Sequence, residues 1–265
     1  SVCKPHIAQT RNMTMTRFKD DFYHRWLYKS ISLMLPVTYQ VKEQLEKFIP
    51  KEIRPRIEVL YMGAETPQKI SDEEKQKLRD QYGLENFFTV GIVGRIEEDK
   101  GQYLVIDAVK ELLQDGFDVK ALIVGSPMNE NCLTSLKEAI KKDAIEKNIV
   151  FTGFTTQAQK LMQACDVIVL ATRRETFGLV LIEAMKSAVT VIGTNNAGPL
   201  EIIDDHETGL LFEKQDSQDL AQKIKLLIES EDLKNQLAQN GYEKAMKVFD
   251  SEVQFEKLFG VLNES

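Results

Sequence analysis

The stretch Val167-Ile-Val-Leu-Ala-Thr-Arg-Arg-Glu-Thr-Phe-Gly-Leu-Val-Leu-Ile-Glu183 passes from a continuous apolar run, through a polar turn, into a helical pattern. Val167–Leu170 is apolar at every position, which suits a parallel strand buried on both faces. Gly178 breaks the next apolar segment where the helical pattern starts, so Glu175 is expected in a loop and Glu183 inside a helix. A turn into a helix N-terminus offers free backbone N–H groups and the positive end of the helix dipole, a ready place for an anion. Carboxylates beside an anion would repel it, so Glu175 and Glu183 are better suited to neutral hydroxyls. Phosphate-binding amides flanked by hydroxyl acceptors describe a diphosphate with polyols at each end.

Working outward, the runs Ala121-Leu-Ile-Val124 and Val189-Thr-Val-Ile192 read as further buried strands. Between the runs lie helical patterns: Val105, Val109, Leu112 and Leu113, then Leu220, Ile224, Leu227 and Ile228. Strand–helix–strand alternation predicts an α/β fold, a doubly wound parallel sheet with helices on both faces. Ligands of such sheets bind at the carboxyl ends of strands. A polar stretch over residues 64–75 reads as a hinge, and Ser71 with Glu74 makes a capping box for the following helix. We therefore expect residues 1–63 to form part of one domain and 76–240 a second. Residues 241–265, with Phe249, Val253, Leu258, Phe259 and Leu262, should form an amphipathic helix packing back on the first segment. Residues 1–63 supply about three strands, at 6–10, 33–37 and 57–61, and two helices. That is too little for an independent layered domain, so the chain reads as a piece of something longer.

Composition bounds the function. The 265 residues are 43% hydrophobic and 28% charged, an ordinary globular balance with ample length for a core. No stretch reads as a membrane span or a signal peptide. Three cysteines, Cys3, Cys132 and Cys165, sit at no metal-like spacing and read as reduced thiols of a cytosolic protein; with only three histidines, a histidine-rich metal site is not expected. The net charge of −7 divides unevenly: residues 1–63 hold eleven Lys/Arg against six Asp/Glu, the remainder twenty-three against thirty-five. The basic first segment suits an anionic acceptor or membrane surface, or equally a solvated helix face. Nucleic acid is disfavoured by the acidic total and the lack of an aromatic-interleaved basic patch.

A second motif begins with Phe87-Phe-Thr-Val-Gly-Ile-Val-Gly94-Arg95 and continues to Lys100-Gly101. It sets two cations at the carboxyl edge of the sheet, where Arg95 can fork onto phosphate oxygens and Lys100 add a point charge. Glu97, Glu98 and Asp99 lie between them, so a salt-bridged loop is the plainer alternative. Neither the dinucleotide fingerprint nor the triphosphatase phosphate loop is present.

Gly94-Arg95…Lys100-Gly101, Val150-Phe-Thr-Gly153-Phe154, Glu175-Thr-Phe-Gly-Leu-Val-Leu-Ile-Glu183 and Ala197-Gly-Pro-Leu-Glu201, in this order, resemble the donor half of a family 4 glycosyltransferase. The resemblance covers residues 85–213. It implies the GT-B fold, two Rossmann-like domains facing across a cleft, with an incomplete acceptor domain before the hinge. It also implies transfer from a nucleotide-diphosphate sugar to a glycan or lipid-linked acceptor, with retention of configuration and no metal. Arg95 and Lys100 would neutralise the diphosphate, Gly94 would belong to the donor-binding residues, and Glu175 would touch the transferred sugar. Glu183 would accept from the ribose, the amides of Phe177, Gly178 and Leu179 would reach sugar and phosphate, and Gly153 and Phe154 would border the base. Asn12 stands where the family has a histidine. The weaker resemblance of Lys4–Arg11 and Trp26-Leu-Tyr28 points to bacterial cell-surface polysaccharide or lipopolysaccharide synthesis. It implies a cytoplasmic enzyme with peripheral contact at the inner membrane. An incomplete first segment would favour self-association and poor transfer by this chain alone. Two alternatives remain: a sugar-nucleotide epimerase of the same fold, and a non-catalytic nucleotide-binding module.

Overall fold

The computed structural model of the chain describes residues 6–264, so Cys3 and the start of the Lys4–Arg11 segment lie outside the described residues. The chain divides into two compact units. One runs up to Glu65 and resumes at Lys247; the other is Thr66–Met246.

In the first unit, β1 (Ala8–Arg11), α1 (Phe22–Ser30), β2 (Leu33–Pro36), α2 (Tyr39–Phe48) and β3 (Arg56–Ile57) follow in order. The three strands are parallel, in the order β1-β2-β3. Thr38 caps α2 by accepting from the Val41 amide, and Val41 and Leu45 turn inward. The third strand is shorter than its apolar run suggests. Beyond Ile57 the pairing thins to single bonds, Glu58 N to Met34 O at 3.0 Å and Leu60 N to Pro36 O at 3.0 Å.

The second unit holds α3 (Asp72–Gln81), β4 (Phe88–Val93), α4 (Gln102–Gln114), β5 (Val119–Val124), α5 (Glu130–Lys142), β6 (Ile149–Gly153), α6 (Ala158–Ala164), β7 (Val167–Leu170), α7 (Leu179–Lys186), β8 (Thr190–Thr194), α8 (Pro199–Ile202), β9 (Leu210–Phe212) and α9 (Ser217–Glu229). Two further helices close the chain, α10 (Glu231–Val248) and α11 (Ser251–Asn263). Ser71 caps α3 by accepting from the Glu74 amide, and three acids in the first turn complement the helix dipole. The runs expected as buried strands are strands, and every residue of β7 is buried.

The six strands form one parallel sheet in the order β6-β5-β4-β7-β8-β9. The chain steps outward from β4 to β6, then returns to lay β7 on the other side of β4. At that reversal, connections leave in opposite directions, and in such sheets this is where the ligand crevice lies, at the carboxyl ends of strands, here β4 and β7. Beneath it Val90, Leu122, Val167 and Ile168 are all fully buried.

The last helix corrects one expectation. Phe249 is buried, but it precedes α11. Within the helix Val253, Phe259 and Leu262 face outward, whereas Ser251, Gln254, Leu258 and Val261 form its less exposed stripe. Gln254 makes the inward face possible by donating from Nε2 to the Val248 carbonyl at 2.6 Å.

Candidate active site

Three loops meet at the crevice, held largely by backbone. After β4 the chain turns through Gly94 and Arg95 to a short 3-10 turn at Glu98–Lys100, and Gly101 opens α4. Gly101 has φ +75, and a Cβ there would lie 2.2 Å from the carbonyl oxygen of Ala171, at the end of β7. The Arg173 amide donates to the Asp99 carbonyl at 2.8 Å. The loop after β8 joins through Gly198, whose amide donates to the Glu175 carbonyl at 3.4 Å. A Cβ on Gly198 would stand 2.1 Å from the Phe177 oxygen. Both glycines are therefore required by close backbone approach, not by flexibility.

Glu175 lies in the loop and Glu183 in α7, which starts after Gly178 at φ +110. The amides of Gly178 and Leu179 have no partner among the described residues, as the first turn of a helix allows. Phe177 is buried beneath them. Only Leu179, Val180 and Glu183 of α7 are partly exposed; the rest of the helix is buried. These three form one stripe, which sets Glu183 about one helical turn from the free amide of Leu179.

The two carboxylates differ in what they touch. Glu175 pairs with Lys100 at 3.6 Å, both side chains being largely covered. Glu183 is half-buried and has no hydrogen-bonding or charged partner among the described residues. Burial pushes its carboxyl above the ordinary glutamate value, with no neighbouring charge to offset the effect.

The two cations expected to share one anion at the start of α7 each meet a different acid. Lys100 arrives beside Glu175, but Arg95 pairs with Glu97 at 3.3 Å and donates to the Met128 sulfur at 3.5 Å. The intervening acid captures the nearer cation, and the side chain is mostly exposed. Gly153 and Phe154 end β6, which β5 and β4 separate from β7. Three strand spacings make that about 14 Å. These residues therefore stand well apart from the start of α7, and Phe154 is 80% exposed.

Other groups lie apart from this chemistry. The Cys165 thiol is buried under Gly91 and Ile168, and desolvation pushes it up to about 12, which leaves no thiolate. His206 is a turn residue at φ +60. Among the described residues no group of three or more His, Cys, Asp or Glu is placed to hold a metal ion, and no helix is long and apolar enough to cross a membrane. Sequence reasoning passed over the fit of Gly198 against Phe177 and the contacts of Arg173. For the first, the dipeptide Gly198-Pro199 at a helix start was the available signal.

The family model described as glycosyl transferases group 1 matches residues 74–244, which includes every one of these loops. The chain belongs to this family. The capsular polysaccharide biosynthesis glycosyltransferase CapM of Staphylococcus aureus is 30% identical over 230 residues, 84% of this chain and 60% of that protein. Mannosylfructose-phosphate synthase of Agrobacterium fabrum is 26% identical over 256 residues, 92% of this chain and 56% of that protein. The chain thus spans 60% or less of the length of these relatives. Among solved structures, Anabaena HepE in complex with UDP is similar with a TM-score of 0.85 and 26% identity, over 91% of this chain and 66% of that one. HepE in complex with UDP-glucose gives 0.83 and 26%, over 92% and 67%. The family and these GT-B neighbours agree with the α/β, Rossmann-like fold expected of the donor domain.

Proposed function

We propose that the second unit binds the nucleotide-diphosphate sugar donor of a retaining glycosyltransferase, one that elongates a bacterial cell-surface glycan. The observation that carries this reading is Glu183, a half-buried carboxylate with no charged or hydrogen-bonding partner among the described residues, on the same exposed stripe of α7 as Leu179 with its free amide. A buried acceptor left unpaired is costly, and neutral hydroxyl donors supplied by a ligand would remove that cost. A ribose offers two adjacent hydroxyls for this. The amides of Gly178 and Leu179 would then meet the diphosphate, with Lys100 supplying charge as it departs and Arg95 swinging from Glu97 to join it. Glu175, beside Lys100, would position the transferred sugar. Gly94 would let backbone approach the phosphates, and Gly153 with Phe154 would border the base some 14 Å away, roughly three strand spacings and a span suited to an extended ligand.

The complexes of HepE with UDP and UDP-glucose support a uridine donor, and the kinship with CapM supports a glycan or lipid-linked acceptor. No metal enters this proposal, because side-chain and backbone donors supply the charge. Peripheral attachment to a membrane and self-association remain proposals for the first unit, whose α1 exposes Phe22, Tyr23 and Trp26.

The test is calorimetry of the chain with UDP, GDP and ADP and their glucose conjugates. Binding of one nucleoside diphosphate, lost in Glu183→Ala, is the expected result. Absence of binding by all six, or affinity indifferent to Glu183, would sink the reading.

A further inference from the structure

We propose that Arg173 is a positioning residue of the donor site: it ties the loop bearing Arg95 and Lys100 to the end of β7 and keeps the charges of Glu98 and Asp99 from the diphosphate. The inference rests on the donor reading above and adds to it a residue that touches no donor atom.

The problem it solves lies in the loop's own sequence. Three acids, Glu97, Glu98 and Asp99, stand between two cations, so the segment alone carries a net negative charge where an anion is to bind. Arg95 takes Glu97. The other two are taken by Arg173, Nη2 lying 3.3 Å from Glu98 Oε1 and Nη1 3.5 Å from Asp99 Oδ1. The same residue's backbone amide donates to the Asp99 carbonyl at 2.8 Å, so side chain and main chain grip one loop together.

The guanidinium has a further partner. Tyr103, in the first turn of α4, shares that partner with it. With the Gln215 amide turned so that its oxygen faces donors, that oxygen accepts from Arg173 Nε at 2.9 Å and from the Tyr103 hydroxyl at 3.2 Å. Gln215 reaches them from the loop after β9 with a left-handed backbone, φ +64, uncommon for a residue with a Cβ. A single exposed ion pair holds little, and Glu98 is 78% exposed. A planar fork shared by three side chains from two loops is different, and it is a role that lysine's point charge cannot fill. The neighbouring Arg174 supplies the contrast: it carries the same charge, is exposed, and has no partner among the described residues.

The experiment compares Arg173→Gln, Arg173→Lys and Arg174→Gln in the otherwise unchanged chain. Hydrogen exchange of residues 95–101 reports on the loop, and calorimetry with UDP at low and high salt reports on the site. Arg173→Gln should raise exchange in 95–101 and weaken UDP by roughly fivefold or more at low salt, with a smaller loss at high salt where the exposed acids are screened. Adding Glu98→Gln and Asp99→Asn to Arg173→Gln should restore most of the affinity. Arg173→Lys should fall between, and Arg174→Gln should change neither reading. Exchange in 95–101 that is alike in Arg173→Gln and Arg174→Gln overturns the proposal, as does failure of the acid-neutralised variant to recover affinity. Should Arg173→Gln not fold, Arg173→Lys carries the same comparison. If the native chain binds none of UDP, GDP or ADP, the donor reading falls, while the exchange comparison still decides whether Arg173 holds the loop.

Discussion

Glu175 and Glu183 are the same residue eight positions apart, yet the fold treats them oppositely. Glu175 sits in a loop pinned by Gly198 and is matched by Lys100. Glu183 sits on the open stripe of an otherwise buried helix and is matched by nothing among the described residues. A carboxylate with a cation beside it is already satisfied in the folded chain and can yield that cation to an anion. A carboxylate partly desolvated without a partner is built to accept from something that arrives later. On the function proposed above, the contrast would give the two acids separate roles, one governing a cation and the other recognising a neutral donor group.

The most disruptive way to break this comparison is to move one of its arms. Gly198→Ala would drive a methyl into the Phe177 carbonyl, 2.1 Å away, and should displace the Glu175 loop. We expect a stability loss of about 2–4 kcal/mol, read from the midpoint of urea unfolding. A loss near zero would mean that the two loops are not in contact as described. The next largest effect should come from the second arm. Glu183→Ala should weaken the bound nucleoside diphosphate by about tenfold or more, since roughly 1.5 kcal/mol accompanies the stranding of a buried donor–acceptor pair. Calorimetry that finds Glu175→Ala equally harmful to diphosphate binding would erase the distinction.

A subtler change sharpens it. Glu175→Gln removes the charge that holds Lys100, so diphosphate affinity should stay level or rise by about two- to fivefold, while turnover of the intact donor falls. A drop in diphosphate affinity would show that Glu175, too, acts on the nucleotide. The smallest effect concerns pH. Burial raises the Glu183 carboxyl in the folded state, so folding favours its protonated form. The stability it contributes is present below the ordinary glutamate value of 4.5 and is lost as pH rises through the folded-state value. Glu183→Gln abolishes that loss, so its Tm relative to native should be higher at neutral pH than at about pH 4, just below the ordinary carboxyl range. An unchanged Tm difference across that range would place Glu183 in water rather than in a partly dry site.

Much of this arrangement was legible in the chain itself, and the reason is locality. The apolar run at Val167–Leu170, the break at Gly178 and the Ser71 cap each declare themselves within a few residues, because hydrophobic period and capping chemistry act at short range. The pairing of Lys100 with Glu175, the choice of Glu97 among the acids beside Arg95 and the grip of Arg173 on Asp99 were not legible. The first and last of these join residues far apart in the chain, brought together only because β7 returns to the side of β4. The capture of Arg95 depends on which of several nearby acids a flexible guanidinium meets, and composition does not rank them. The inward face of α11 escaped for another reason. Its apolar residues suggest one stripe, whereas the covered one contains Gln254, whose amide bonds the preceding carbonyl at Val248.

The return of β7 to β4 also has a kinetic side. Strands β4, β5 and β6 can pair in chain order as they emerge, but Lys100 meets Glu175, and Gly101 meets Ala171, only after the chain has closed the long excursion through α6. Non-local pairing of this kind is slow to nucleate, because loop-closure entropy is lost before the contact is gained. The corner where these loops meet is therefore expected to be among the last parts of the unit to assemble. A ligand that recognises it would act as a lock rather than a template, slowing unfolding while leaving the folding rate almost untouched.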